Sequence, residues 1–424
     1  MWLIFGIDYL KEHFTHNQRY IIVAILSMFL PFYMCATVLI FLTIRLLLKG
    51  EIQDAYRKTA KSQYILYFCG LSFVVSLFYQ NYYGAGCSLG ILAILSFVLY
   101  YRQHITGELF EFIMNCIIVL SVFAALYGLI EYIGILNKFD IDQLEIISVF
   151  IATSDEAIPI LLTSPELYSS LLEIIIFNRP QDRINSVFFN ANYYAMMIEF
   201  FVCITFYKIL KIKDIKVNYK KFCYYLAVIA INLFMLLLTA CRTAWPALAA
   251  GVLVILIIDK QYKACLAIMA GVILACVYFV FNPSKFPRVD NIIAYFGTRQ
   301  GIWDVAIANI KTHPLFGEGP MTYWHIYKAY NGHPTEHAHS IYLDPLLCFG
   351  IIGILTILPF IIENIKRLYR LWKTQIDKTL VALIISFTVM IFVHGMLDYT
   401  IFFVQTGFLY LLIASSFDIY KESL

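Results

Sequence analysis

The stretch KKFCYYLAVIAINLFMLLLTACRTAWPALAAGVLVILIIDKQYKACLAIMAGVILACVYFVF, residues 220–281, decides the architecture. It holds three long apolar runs, 220–240, 243–258 and 262–281, cut only by Arg242 and by the polar group from Asp259 to Lys263. A helix needs about 20 mostly apolar residues to cross a bilayer. Working outward, runs of the same kind recur at 20–44, 62–80, 85–100, 109–134, 188–210, 341–364, 378–395 and 398–418. Composition agrees. Hydrophobic residues make up 61% and charged residues 14%, against about 45–50% and about 25% in a soluble domain. Lipid offers no water to an open backbone, so the spans must be helices. The sequence therefore predicts an all-α polytopic membrane protein with about eleven transmembrane helices.

Charge sets the orientation. Basic residues crowd the segments 45–61, 208–221 and 363–378, and with Arg102, Lys260, Lys263 and Lys421 they place 20 of the 31 Lys and Arg on one side. Loops rich in Lys and Arg stay cytoplasmic. The N-terminus and the two long loops, about 135–187 and 282–340, then fall outside, and the C-terminus inside. The first loop carries eight acids against three bases. Its apolar stretches 157–162 and 171–177 predict helices lying on the membrane surface. The second is rich in His, Pro, Gly and aromatic residues, as a functional loop is. A net charge of +3 gives no footprint for nucleic acid. The ten cysteines are scattered through apolar segments without a CxxC pair, which indicates neither a metal knuckle nor a disulfide framework. Residues 2–6 are too short for a signal-peptide core, so the first long run, from Tyr20, reads as a span.

Three arginines fall at the outer boundary: Arg183, Arg242 in the turn of LTACRTAW, and Arg299 in TRQGIWDVAIANI. Each alone fits a side chain snorkelling to headgroups. Together, three planar forks suit a diphosphate. His333, His337 and His339 cluster in HPTEHAHSIYLD. Such a tract can bind zinc, can supply a general base for a hydroxyl nucleophile, or can be surface histidine, the bland reading that suits His333 best. Glu199 lies near the middle of the span 188–210, and His394 and Asp398 border the outer turn before the last span. Ionisable residues in a membrane mark function or a helix–helix contact. Asp398 reads as a partner that orients a nearby His or Arg.

His339-Ser340, nine further residues, then Gly350-Ile351-Ile352-Gly353 resembles the signature H-[N/S/Q]-x9-G-x-x-[G/T/Y] of the O-antigen ligase and polymerase family. Arg299 with Trp303, followed by His313-Pro314-Leu315-Phe316-Gly317-Glu318-Gly319, resembles that family's R-x3-W and hPl-G-x-G run. Cys241-Arg242-Thr243-Ala244-Trp245 resembles its S-R-x-A-W turn, and Arg183 with Asn190 and Asn192 its R-x-S-x-F-x-N-x-N segment. The resemblance covers roughly 180–415. It divides the chain into 1–180, N-terminal transmembrane helices with the first outer loop, and 181–424, a catalytic region with the outer loop 282–340. Two departures stand out. Cys241 replaces the usual Ser or Gly, and Cys348 sits where many relatives carry an acid, so that acid is not a catalytic group here unless Asp344 or Asp398 substitutes for it.

The resemblance implies a GT-C-like, metal-independent and cofactor-free inverting glycosyltransferase of the bacterial inner or plasma membrane, with its site facing the periplasm or cell exterior. The donor implied is a glycan on undecaprenyl diphosphate among the membrane lipids; the acceptor is a glycan or glycolipid. Arg242, Arg299 and Arg183 would grip the diphosphate. His339 would accept the proton of the attacking hydroxyl, with His337, Trp303, Asn190, Asn192 and Asp398 around the substrates. A ligase passes the glycan to a terminal acceptor, whereas a repeat-unit polymerase passes it to another lipid-linked unit, and one constellation serves both. A transporter of polyprenyl-linked glycans is the other reading, but it should carry charges along the midplane of several helices; here they gather at the outer surface, Glu199 excepted.

Overall fold

A computed structural model describes residues 6–132, 183–282 and 292–423. Among the described residues the chain is helical without strands. The helices are α1 (Gly6–His13), α2 (His16–Ser27), α3 (Phe32–Leu48), α4 (Glu51–Lys58), α5 (Gln63–Phe78), α6 (Tyr82–His104), α7 (Gly107–Tyr132) and α8 (Ala191–Leu210). They continue as α9 (Tyr219–Leu238), α10 (Ala244–Ile258), α11 (Tyr262–Phe281), α12 (Ile292–Thr312), α13 (Thr322–Ile326), α14 (Asp344–Thr374), α15 (Lys378–His394) and α16 (Val404–Ser415). Five of these, α6, α7, α8, α9 and α14, are long and apolar enough to cross a membrane; α3 and α4, bent by 85°, would make a sixth if they form one broken span. α5, α10, the first part of α11 and α15 are shorter apolar helices. Large apolar side chains such as Phe41, Phe78, Phe123 and Phe281 stand exposed on the outside of the bundle, as a lipid-facing surface requires.

Two of the expected spans are not single helices. The run 20–44 breaks between α2 and α3, where Pro31 opens the second helix; a proline donates no N–H and restricts the residue before it. α2 starts beside Lys49 and His104, at the end that carries the basic segment 45–61, so the chain enters α2 from that end and not from the opposite one, where the sequence places the N-terminus. The run 398–418 begins with a one-turn 3-10 helix, Thr400–Phe402, before α16. The loop expected over 282–340 contains α12 and α13. The surface helices expected at 157–162 and 171–177 lie outside the described residues.

α8 is the axis of the bundle. Its apolar window is 78% buried, against 28% for α9, and it packs on α7, α9, α10 and α15. α10 lies close along α15, with Gly251 against Met390 and Ser386; small residues let transmembrane backbones approach in this way. A second group joins α3, α4, α5, α6 and α14, with α16 between it and α15. Side-chain caps start the helices that matter for the site. Asn190 caps α8 by accepting from the Asn192 amide at 2.8 Å, and Asp377 caps α15 by accepting from Leu380 N at 3.0 Å.

α14 is interrupted at Gly350, whose φ of 59° and ψ of −174° are not helical. A left-handed φ favours glycine. Space demands it too, because a Cβ there would come within 2.4 Å of the Leu315 carbonyl carbon. The segment 314–319 is laid into this break. The amides of Ile351 and Ile352 donate to the carbonyls of Pro314 and Leu315 at 3.0 and 2.8 Å, and the Gly319 amide donates to Cys348 O at 2.8 Å. Asn81, at the start of α6, pins the far side of the segment by donating to the carbonyls of Glu318 and Pro320 at 3.1 and 2.9 Å. The two glycine-containing motifs thus form one joint.

Candidate active site

The segment between α13 and α14 carries the histidines, and a small core of its own holds it. Ile302, Val305 and Ala306 of α12, Tyr323 and Ile326 of α13, and Leu347 of α14 enclose Ala338. Burying Ala338 turns its neighbours His337 and His339 away from that core. The Ala338 amide donates to Asp344 Oδ2 at 2.8 Å, and the Ile341 amide donates to Gly395 O at 2.8 Å. The second contact ties the segment to the end of α15 and brings His339 against Asp398. His339 itself has φ 48°, a left-handed conformation costing about 1–3 kcal/mol for a residue with a side chain and found preferentially at functional sites.

His339 Nδ1 lies 2.9 Å from Asp398 Oδ1, with the imidazole partly exposed and the carboxylate buried. The Tyr399 amide donates to the same oxygen at 2.8 Å. Asp398 Oδ2 accepts from Asn192 Nδ2, Asn192 Oδ1 accepts from an Nη of Arg183, and Arg183 Nε donates to Thr239 O at 2.6 Å. One chain of hydrogen bonds therefore runs from the α9–α10 turn, through the start of α8, to the histidine. A carboxylate on Nδ1 fixes that nitrogen as the donor and leaves Nε2 as the acceptor. Nε2 is met by Thr335 Oγ1 at 3.0 Å.

His337 is buried and packs edge-on against His339, with ring centroids 4.4 Å apart. Its Nδ1 accepts from the His339 amide at 3.2 Å, and its Nε2 lies 3.3 Å from the Tyr193 hydroxyl. Burial pushes the His337 imidazole down to about 3, with the charges of His339 and Arg299 acting the same way and Asp398 opposing. It is a neutral, positioned ring. Burial alone would raise the Asp398 carboxyl, but the charges of His339, His337 and Arg299 and the hydrogen bond to His339 hold it well below the usual carboxylate range. Asp398 is therefore ionised at neutral pH.

Arg299 sits on α12, and its charge acts on both Asp398 and His337. Its Nη1 is buried and has no hydrogen-bond partner. One turn further on, the Trp303 indole Nε1 is also buried and unpartnered. Buried donors are normally satisfied; these two, on one helix face beside a histidine–carboxylate pair, are left open to a polar partner. Arg242 is half-buried in the α9–α10 turn, next to Cys241. His333 is exposed and takes no part in these contacts.

Donor atoms of His337, His339 and Asp398 lie within 4.8 Å of one another, close enough to hold a metal ion. All four imidazole nitrogens, however, already meet a protein partner: Asp398, Thr335, the His339 amide and Tyr193. A metal would have to displace these, so the donor set fits hydrogen bonding better than ligation.

The structure brings Arg183, Asn192, His337, His339 and Asp398 into one hydrogen-bonded network, with Asn190 as the cap that starts it and Arg299 in electrostatic reach. Thr335 and Tyr193 belong to the same network and were not among the residues singled out from the sequence. Thr335 stands four residues before His339 in the same motif, and Tyr193 follows Asn192. Neither carries a spacing signal, because their role is contact across the fold.

Residues 227–358 match the family model for O-antigen ligase. The match supports the family suggested by the motifs and O-antigen ligase- or polymerase-type function in general. It spans Arg242, Arg299, Trp303, His337 and His339, whereas Arg183, Asn192 and Asp398, which complete the network, lie outside it. Comparison with curated proteins gives no match.

Proposed function

We propose that the protein moves a glycan from undecaprenyl diphosphate to a sugar hydroxyl of an acceptor glycolipid, with inversion at the anomeric carbon and without a metal. The observation that carries this reading is the Asp398–His339 pair beside the half-unpartnered Arg299. The pair is a base held by its orienting carboxylate. The guanidinium is an anion site awaiting its ligand. The acceptor hydroxyl would displace Thr335 Oγ1, which lies 3.0 Å from His339 Nε2.

In the reaction, Nε2 takes the hydroxyl proton as the acceptor oxygen bonds to the anomeric carbon. The carbon–oxygen bond to phosphate breaks on the opposite face, and its electron pair leaves on the diphosphate. Ionised Asp398 stabilises the imidazolium. Arg299, Arg242 and Arg183 stabilise the departing charge. Trp303 and His337 shape the sugar side. The catalytic region 181–424 would hold this site at the outer face of the inner or plasma membrane, in a GT-C-like bundle of about eleven spans.

The test uses purified protein in nanodiscs with an undecaprenyl-diphosphate-linked glycan and a lipid A–core acceptor, read by mass spectrometry. Transfer to the acceptor with release of undecaprenyl diphosphate, unchanged by EDTA, is the expected result. Growth of the donor on a second donor molecule would make the enzyme a repeat-unit polymerase. An unconsumed donor that crosses the membrane would make it a transporter. Loss of transfer with EDTA, restored by zinc, would return the three donor atoms around Asp398 to a metal role.

A further inference from the structure

Beneath the site lies a second polar assembly, sealed from solvent. Glu199 is on α8, seven residues after Asn192, about 10 Å deeper along the helix. His394 ends α15, four residues before Asp398. Both side chains are fully buried, and His394 Nδ1 lies 2.6 Å from Glu199 Oε1. On its other side His394 Nε2 lies 3.8 Å from Cys241 Sγ, which also meets Thr243 Oγ1 at 3.3 Å. The three residues come from α8, from α15 and from the α9–α10 turn.

As a stabilising device this pair is poorly built. Glu199 Oε2 is buried with no partner, and a buried ion pair with unsatisfied atoms is often no better for stability than apolar side chains. What it does supply is a fixed arrangement. The start of α8 is tied to the segment after α15 by Asn192 to Asp398, and about two turns deeper α8 is tied to the last residue of α15 by Glu199 to His394. Together the two ties set the end of α15 and the segment after it against α8. The turn is likewise tied twice, by Arg183 to Thr239 O and by His394 to Cys241. Between those anchors Ala240 is forced to φ 49°, and the next residue after Cys241 is Arg242. The turn is held in a conformation it would not choose alone.

We infer that Glu199, His394 and Cys241 are positioning residues that set Arg242 for the donor diphosphate. His394 acts as the strut, Glu199 fixes its ring, and the Cys241 thiol is the contact through which the strut bears on the turn. None of the three touches substrate. The inference rests on the proposed role of Arg242 and assigns work to Glu199, a buried acid that the transfer chemistry leaves unused.

The test measures donor KM and kcat for Cys241→Ala, Cys241→Ser and Glu199→Gln, each alone and with Arg242→Ala. Cys241→Ala removes the contact and should raise donor KM about three- to tenfold, the scale of one lost hydrogen bond, with acceptor KM unchanged. Cys241→Ser keeps a partner for His394 and should stay near the parent. Glu199→Gln keeps the shape but not the charge and should raise donor KM in the same direction; it also serves if Cys241→Ala does not accumulate. Combined with Arg242→Ala, neither change should weaken the donor further, because coupled residues are not additive. If the effects multiply instead, or fall on acceptor KM, the positioning role is overturned. If Arg242→Ala alone leaves donor KM at the parental value, it is the donor role of Arg242 that fails, a separate result.

Discussion

The two ends of the bundle handle buried charge in opposite ways. At the end that carries the basic loops, Arg102 is almost fully buried, yet its Nε meets Asp418 Oδ2 at 2.5 Å and its Nη1 meets Asn364 Oδ1 at 2.9 Å. Arg367 joins Asp418 Oδ1 at 3.2 Å, Lys211 meets both oxygens of Asp377 at 2.8 Å, and Lys208 is paired with Glu111. At the histidine end, Arg299 Nη1 and Trp303 Nε1 have no partner, and His339 is partly open. Both ends pay for desolvation, but Arg102 finds protein partners for its charge whereas Arg299 Nη1 finds none. Completed charge at the basic end locks helices together; at the other end donors are left open, as the proposed ligand site needs. A buried cation is therefore not a site by itself, and the informative quantity is what its hydrogens still lack.

Substitution at each end should separate the two uses. The largest effect on turnover should come from His339→Ala, which removes the proton acceptor and leaves the diphosphate contacts. Loss of a general base costs about 10²–10⁴ in rate, so kcat should fall by that factor while donor binding, read by a direct binding assay, stays near the parent. Near-normal turnover would transfer the base role to another group. At the other end, Arg102→Ala strands the Asp418 carboxylate beside a single remaining arginine. Breaking a buried pair costs about 3–5 kcal/mol. The variant should melt at a lower temperature in detergent, while the folded fraction keeps the parental donor KM. A raised donor KM there would erase the contrast between the ends.

Smaller changes sharpen the same contrast. Arg299→Lys keeps a charge but loses the planar fork; donor KM should rise about tenfold, the size of one charge-assisted hydrogen bond, with no loss of thermal stability. The remaining effect is in pH. His337 is neutral in the fold, pushed down from 6.5 to about 3. Between those values the unfolded chain binds a proton that the folded chain does not, so stability is full above about 6.5 and declines as pH falls toward 3. Thermal unfolding across that range should show the decline, and His337→Gln should flatten it. A slope that survives the substitution belongs to other groups.

Much of this was readable before any coordinates. The apolar runs of α6, α7, α8, α9 and α14 mark themselves by length, and His339, Arg299 and the glycines around 317 and 350 stand in recognisable spacings. Asp398 was legible only as a polar residue at a turn, because what makes it a partner of His339 is the pairing of the Ile341 amide with Gly395, a contact between segments far apart in sequence. Thr335 and Tyr193 were illegible for the same reason. The break at Met28–Pro31 is hidden in the sequence because apolar content continues across it, although Pro31 carries a signal. Cys241 announced itself as a departure from the family turn, but nothing in its neighbours pointed to His394, 153 residues away.

The break at Gly350 has a bearing on how the chain enters its membrane. A helix can rest alone in hydrocarbon only when it closes every backbone bond within itself. α14 does not: two of its amides, those of Ile351 and Ile352, are closed by carbonyls from Pro314 and Leu315. Threaded by itself, the helix would carry open donors into lipid at the level of the break. Segment 314–319 has to arrive with it, as a preassembled unit or against neighbours already in place. The joint that makes the motif recognisable thereby also fixes the order of assembly: this helix cannot be finished before the loop that precedes it.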